Sequence, residues 1–169
     1  ICWKSKTDNV KRGYGFRYDV LSRLQEAKYK AVAPGGTKWN HEVGHYDVPT
    51  INYDANGNIT RLKRMGWVDV SGNGAFGVMD DLRYRYRGNQ LRSVTDLATV
   101  TGYDDFRDNG ATSNNDYAYD GNGNLISDAN KGITIQYNHL NLPTKVDAGG
   151  GKMIHWLYTA DGKKLKKVV

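Results

Sequence analysis

Six segments that open on a tyrosine recur along the 169-residue chain, and an internal repeat constrains an architecture more than composition does. They are YDVLSRLQEA from Tyr18, YDANGNITRL from Tyr53, YRGNQLRSV from Tyr86, YDGNGNLISD from Tyr119, YNHLNLPTKV from Tyr137 and YTADGKKLKKV from Tyr158. The tyrosines stand 35, 33, 33, 18 and 21 residues apart, so the longer steps have room for a second, degenerate unit. An apolar residue follows each tyrosine five to seven positions later: Leu24, Ile59, Leu91, Leu125, Leu142 and Leu165. Turn formers fill the gap, which reads as strand, tight turn, strand. Asn56-Gly57 and Asn122-Gly123 predict two-residue type I′ turns, in which both central positions need positive φ, and Asp161-Gly162 plays the same part. Leading strands alternate with period two: Leu82, Tyr84 and Tyr86 against Arg83, Arg85 and Arg87, and Ile133, Ile135 and Tyr137 against Thr134, Gln136 and Asn138. One face of each is apolar and aromatic, the other solvated.

Composition agrees with hairpins. Gly, Asn and Asp supply 51 residues while Glu occurs only at Glu26 and Glu42, which favours turns and excludes a helical bundle. Ile, Val, Leu and Phe total only 34, so twelve Tyr and four Trp have to complete the core. Tyr18 to Tyr29 is the one stretch with helical propensity, and its alignment with the other units makes it a strand pair. Loops are expected at Ala33 to His41, Gly66 to Ala75, Thr101 to Asn115 and Asp147 to Gly151. The fold expected is all-β, a run of antiparallel hairpins in a curved or spiralling sheet.

YDANGNITRLKR, YDGNGNLISDANKGI, IQYNHLNLPTKV and YTADGKKLKKV resemble the YD repeats of the RHS family, in the version found in long Bacteroidetes-like surface and polymorphic-toxin proteins. MDDLRYRYRGNQLRSVTD and VKRGYGFRYDVLSRLQEA are similar to the same array, so the resemblance covers 1–169 as one repeat segment. It implies a strand-turn-strand ribbon wound into a hollow β-shell that encloses or presents a C-terminal toxin or effector. It implies a structural repeat signature at Tyr18, Asp19, Tyr53, Asp54, Gly57, Tyr86, Gly88, Tyr119, Asp120, Gly123, Tyr137, Tyr158 and Gly162. The tyrosines would stack from rung to rung. It also implies that the repeats are not enzymes and need no cofactor.

Other motifs point to rival chemistries. His41-Glu42-Val43-Gly44-His45 is a literal H-E-x-x-H, which binds zinc when a helix brings both histidines to one face. Pro34-Gly35-Gly36 before it, Gly44 within it and Pro49 after it oppose a helix, and no third ligand stands where known variants place one. His41 and His45 are thus only weak metal candidates, and zinc hydrolysis through them is a third reading. Asp54-Asn56-Asn58 and Asp120-Asn122-Asn124 open like calcium loops but lack the glycine at position six and the carboxylate at position twelve. Gly72 to Gly77 matches G-x-G-x-x-G without a following helix. Arg83, Arg85 and Arg87 alternate with Tyr84 and Tyr86, which puts cations and aromatics on opposite faces and argues against a groove for nucleic acid; Lys163, Lys164, Lys166 and Lys167 form a second basic stripe. Trp3, Trp39, Trp67 and Trp156 are candidate sugar platforms, so a carbohydrate-binding adhesin module is the alternative function.

No apolar stretch reaches the length of a membrane helix. The net charge of +6 comes from the two ends, where residues 1–64 hold 12 basic against 6 acidic side chains and residues 152–169 hold 5 against 1. Without an initiator Met, and with apolar Ile1 and Trp3 at one end and Val168-Val169 at the other, the chain is expected to be an internal slice of a longer array. Its expected partners are the remainder of the same polypeptide, surface glycans and, through exposed end strands, a second copy. The resemblance places it at a bacterial cell surface or outside the cell.

Overall fold

The computed structural model describes residues 1–70, 73–99, 105–109 and 115–169. The chain is all-β, with 55% of it in strand and no helix among the described residues. Among the described residues thirteen strands run in chain order: β1 (Cys2–Lys4), β2 (Lys11–Tyr18), β3 (Leu24–Val32), β4 (Thr50–Tyr53), β5 (Ile59–Val70), β6 (Asn73–Arg87), β7 (Gln90–Asp96), β8 (Tyr117–Tyr119), β9 (Leu125–Asp128), β10 (Ile133–Tyr137), β11 (Pro143–Asp147), β12 (Met153–Tyr158) and β13 (Lys164–Val168). They form three antiparallel sheets, ordered β1-β2-β3, β4-β5-β6-β7 and β13-β12-β11-β10-β9-β8. Every neighbour in these orders is also a neighbour in sequence, as a succession of hairpins requires.

The chain divides into two compact units, Ile1–Tyr84 with Thr95–Phe106, and Arg85–Val94 with Arg107–Val169. In the first, Val10, Ala27, Tyr29, Ala31, Val32, Ile51, Val68, Met79 and Leu82 are buried. Segment 41–48 lies along β3 through two antiparallel bridges, Ala31 with His41 and Ala27 with Val48. Asp80 is fully buried and held by Arg64 and by the Phe106 amide, which donates to Oδ1 at 2.7 Å.

Among the described residues the second unit buries little that is apolar beyond Val94. Its enclosed groups are Ser93, Asp116, Asp128 and Asn130. Asp116 Oδ2 accepts from the Val94 amide at 2.8 Å and from Asn130 Nδ2 at 3.3 Å, while its backbone amide donates to Arg92 O at 2.8 Å. Buried polar groups are paired as a rule, with Ser93 Oγ an exception among the described residues, and this aspartate ties β7 to β8 and β9 by hydrogen bonds where aliphatic packing is thin.

The loop expected at Gly66 to Ala75 needs correction: β5 continues to Val70 and β6 begins at Asn73. The two glycines serve packing within the strands. A Cβ at Gly66 would come within 2.0 Å of Met79 Cε, and one at Gly74 within 2.2 Å of Trp67 Cζ2. Ala33 to His41 is a loop up to the bridge at His41, and Asp147 closes β11 before a tight turn at 148–151. Of Thr101 to Asn115, residues 101–104 and 110–114 lie outside the described residues, and 105–109 and Asn115 form no strand.

Candidate functional site

The tyrosine-led segments share one local geometry. In five of the six, the residue after the tyrosine caps a five-residue turn with its own side chain. Asp54 Oδ1 accepts from the amides of Asn56 at 2.9 Å and Asn58 at 2.8 Å, while Oδ2 accepts from Asn58 Nδ2. Asp120 does the same with Asn122 and Asn124, at 3.0 and 2.8 Å. Asp19 Oδ1 accepts from Leu21 and Arg23, and Oδ2 from Arg23 Nε. Asn138 Oδ1 accepts from Leu140 and Leu142, and Thr159 Oγ1 from Lys163. Side chains that bond the backbone two and four residues on are what Asp, Asn and Thr supply in turns.

These turns correct the type I′ expectation. Only the fourth residue of each has positive φ: Ser22 at 61°, Gly57 at 87°, Gly123 at 85°, Asn141 at 57° and Gly162 at 87°. Asn56 and Asn122 keep ordinary φ. The ladder shifts register just before each tyrosine, so Tyr18, Tyr53, Tyr119, Tyr137 and Tyr158 face Leu24, Ile59, Leu125, Pro143 and Lys164, six residues on in every case. A turn that ends on a residue in the left-handed region with an adjacent bulge replaces the two-residue loop. The Tyr86 segment is the exception, because Gly88 at φ 58° and Asn89 make a two-residue turn between β6 and β7.

The tyrosine hydroxyls correct a second expectation. No ring contact joins Tyr53, Tyr119, Tyr137 and Tyr158 to one another among the described residues. Instead Tyr53 Oη donates to Leu24 O at 2.7 Å, Tyr137 Oη to Leu125 O at 2.9 Å and Tyr158 Oη to Pro143 O at 2.9 Å. Each acceptor is the residue that faces the tyrosine of the preceding hairpin. The hydroxyl of one unit therefore fastens the first ladder position after the turn of the unit before. Tyr18 has no such bond among the described residues and is 56% exposed.

The H-E-x-x-H segment forms an arch between its two bridges to β3. Glu42, at φ 51°, accepts from Arg12 Nε at 2.9 Å, Arg12 Nη2 at 2.8 Å and Tyr29 Oη at 2.6 Å. The Arg12 guanidinium holds the Glu42 carboxyl below its usual range, and burial with the Glu42 hydrogen bond pushes the Tyr29 phenol up. Asp47 Oδ1 accepts from the Tyr29 amide at 2.6 Å, filling the gap that the arch leaves in the ladder. His45 stacks on Phe76, with centroids 3.6 Å apart at 7°. His41 sits in the backbone bridge to Ala31, 3.8 Å from Glu42. Glu42 is thus engaged by Arg12 and Tyr29 and His45 by Phe76, and among the described residues no group of three His, Cys, Asp or Glu side chains is arranged to hold a metal. In the calcium-like segments the carboxylate oxygens of Asp54 and Asp120 face N–H donors, which is the wrong polarity for a cation. Of the dinucleotide-like glycines, Gly74 and Gly77 lie in β6, and Gly72 is outside the described residues.

The sheet of β1, β2 and β3 has two unlike faces. Trp3, Tyr14, Phe16 and Tyr18 line one, with Trp3 to Tyr14 centroids 6.2 Å apart and Tyr14 to Phe16 5.9 Å. Trp3, Phe16 and Tyr18 of that row remain 44%, 39% and 56% exposed. On the other, Gly13 and Gly15 leave a furrow of about 500 Å³ bordered by Trp39, Arg17, Glu26, Lys28 and Lys30. Sequence reasoning missed this furrow. Its signal was the spacing of two glycines by two within a strand, a common mark of close approach or open space on one face.

A scan against protein-family models matches none of them, and a search among curated proteins finds none similar to the chain.

Proposed function

We propose that the chain is a structural scaffold, a wall segment of the kind built by the RHS/YD-repeat proteins it resembles. In this reading it encloses or presents a C-terminal toxin or effector of the same polypeptide, at a bacterial cell surface or outside the cell, and carries out no catalysis. One observation carries the reading: the hydroxyl of the leading tyrosine is bonded to the preceding hairpin at three successions of units. Such a bond fixes each hairpin against its predecessor without a continuous aliphatic core. A wall one sheet thick has this need, since little apolar surface is available to it on either side. Its action in this reading is exclusion and presentation, which calls for rigidity.

The test uses the polypeptide that carries this chain together with whatever follows it. Limited proteolysis should spare the following segment in the parent. It should cut that segment in a variant with Tyr53, Tyr137 and Tyr158 all changed to Phe. Equal cutting in both, or in the absence of the chain, overturns the enclosing role.

A carbohydrate-binding adhesin is the second reading, favoured by Trp3, Phe16 and Tyr18, aromatic rings left partly exposed along one face of the first sheet, where sugar faces can pack.

A further inference from the structure

Two turns of the chain form a matched pair. Tyr53-Asp54-Ala55-Asn56-Gly57-Asn58 and Tyr119-Asp120-Gly121-Asn122-Gly123-Asn124 differ only at the residue after the aspartate. Each aspartate caps its turn, the glycines stand at φ 87° and 85°, and the Gly57 and Gly123 amides donate to the carbonyls of Asp54 and Asp120 at 3.1 Å in both. Asn56 and Asn122 are both exposed. What differs is the hold on the asparagine side chain. Asn122 Nδ2 donates at 3.0 Å to Oδ1 of Asn141, which belongs to the turn between β10 and β11. The Asn56 side-chain amide makes no hydrogen bond among the described residues. A Cβ on Gly123 would meet Gln90 Nε2 at 3.7 Å, and one on Gly57 would meet nothing within 4 Å.

We propose that Asn56 is a site of spontaneous deamidation and that Asn141 shields Asn122 from the same reaction. Glycine after an asparagine has no Cβ to block the approach of its own nitrogen to the side chain, and its backbone turns freely. The Gly57 nitrogen gives up its proton to solvent base and attacks Asn56 Cγ. The bond from Cγ to the side-chain nitrogen breaks, ammonia leaves with a proton taken from water, and a second water opens the resulting succinimide to Asp or iso-Asp. In both turns the glycine N–H must first release the aspartate carbonyl, so that step does not separate them. Cγ must also swing onto the following nitrogen, and only Asn122 has to break a side-chain bond to do so. The chain's third Asn-Gly pair, Asn73-Gly74, begins β6 and is held extended in the ladder opposite Val70 and Asp69. Either product at position 56 puts a second carboxylate near Asp54, and iso-Asp adds a backbone atom to a turn that Arg23 Nη1 ties to the first hairpin through Asp54 O at 3.3 Å. The inference does not depend on the scaffold reading, since it concerns the turn and not what the wall encloses.

Incubating the chain at mildly alkaline pH in water enriched in heavy oxygen, followed by digestion and fragment mass spectrometry, tests it. Heavy oxygen marks each residue formed through the ring. Labelled product should accumulate at position 56 about two- to tenfold faster than at 122, the factor that one net hydrogen bond supplies. Asn141→Gly suits the φ of 57° at that position, so the variant should fold. It should bring the rate at Asn122 up to that at Asn56 and leave Asn56 unchanged, whereas Asn141→Asp restores an acceptor and should keep Asn122 slow. In concentrated urea the two rates should converge, because the flanking residues are nearly the same. Reaction at Asn122 as fast as at Asn56 in the folded parent, an unchanged Asn122 rate in folded Asn141→Gly, or a difference that persists in urea overturns the proposal.

Discussion

Gly57 and Gly123 sit at φ 87° and 85°, where a β-branched side chain meets its own backbone. Changing either to Val is expected to destabilise its unit by about 1–3 kcal/mol, read as a lower urea midpoint. Ser22 and Asn141 occupy the same turn position at 61° and 57° without being glycine. Ser22→Gly should therefore leave stability unchanged or raise it, the opposite of the usual cost of glycine in a strand protein, whereas Asn141→Gly also gives up the hydrogen bonds that Asn141 Oδ1 accepts from Asn122 and Asn124 Nδ2.

Glu42 gives a pH dependence with a definite sign. Its carboxyl is held below the ordinary 4.5, chiefly by Arg12, so the stability it contributes is present above pH 4.5 and is lost as pH falls through the lowered value. The Tyr29 phenol is raised above 10.0 by burial and by Glu42, so its contribution is present below pH 10 and is lost as pH rises further. Thermal melts across pH should fall off on both sides. Glu42→Gln should flatten the acid limb and cost about 1–3 kcal/mol at neutral pH, because it withdraws the charged acceptor from Arg12 and Tyr29. His41→Ala should change stability little, and metal analysis of the purified chain should find no stoichiometric zinc.

At the scale of the hairpin, the tyrosine bond is the unit of cohesion. Tyr53→Phe, Tyr137→Phe and Tyr158→Phe each remove one donor and leave a half-buried carbonyl short of a partner, so each is expected to cost about 1 kcal/mol. Tyr18→Phe should be nearly silent, since its hydroxyl makes no such bond. Equal losses at all four positions in denaturant melts would show that the rings, not the hydroxyls, carry the effect. The hairpins themselves were readable from Tyr, Asp and Gly at constant spacing. The bulge before each tyrosine was not. A spacing of six between paired residues fits either a two-residue loop with a shifted register or a capped five-residue turn, and only the Asp side chain's double acceptance from the backbone selects the second.

For the molecule, an open antiparallel array has edges, and how they are guarded decides whether copies pair. β13 is one edge of the six-stranded sheet, exposed along its whole length, and carries Lys164, Lys166 and Lys167. Like charges on two facing edges oppose pairing. Light scattering should detect no association through β13 in the parent, whereas a Lys164→Thr, Lys166→Thr, Lys167→Thr variant should associate in a concentration-dependent way.

The sequence by itself determined the all-β class, the places where the chain reverses and the sorting of arginine from tyrosine along β6. Each of these depends on residues within a few positions of one another: a turn former at fixed spacing, or a pleat of period two. The tertiary structure alone decided that Glu42 belongs to Arg12, 30 residues away, and that Tyr53 bonds to Leu24 O across 29. It also decided that Trp39 covers Gly13 while Gly15 opens onto a furrow beside it. The H-E-x-x-H letters are the same on a helix and on an arch. What differs is whether the backbone bonds within itself, placing both histidines on one face, or bonds to β3 at His41 and Val48, which leaves Glu42 turned toward an arginine.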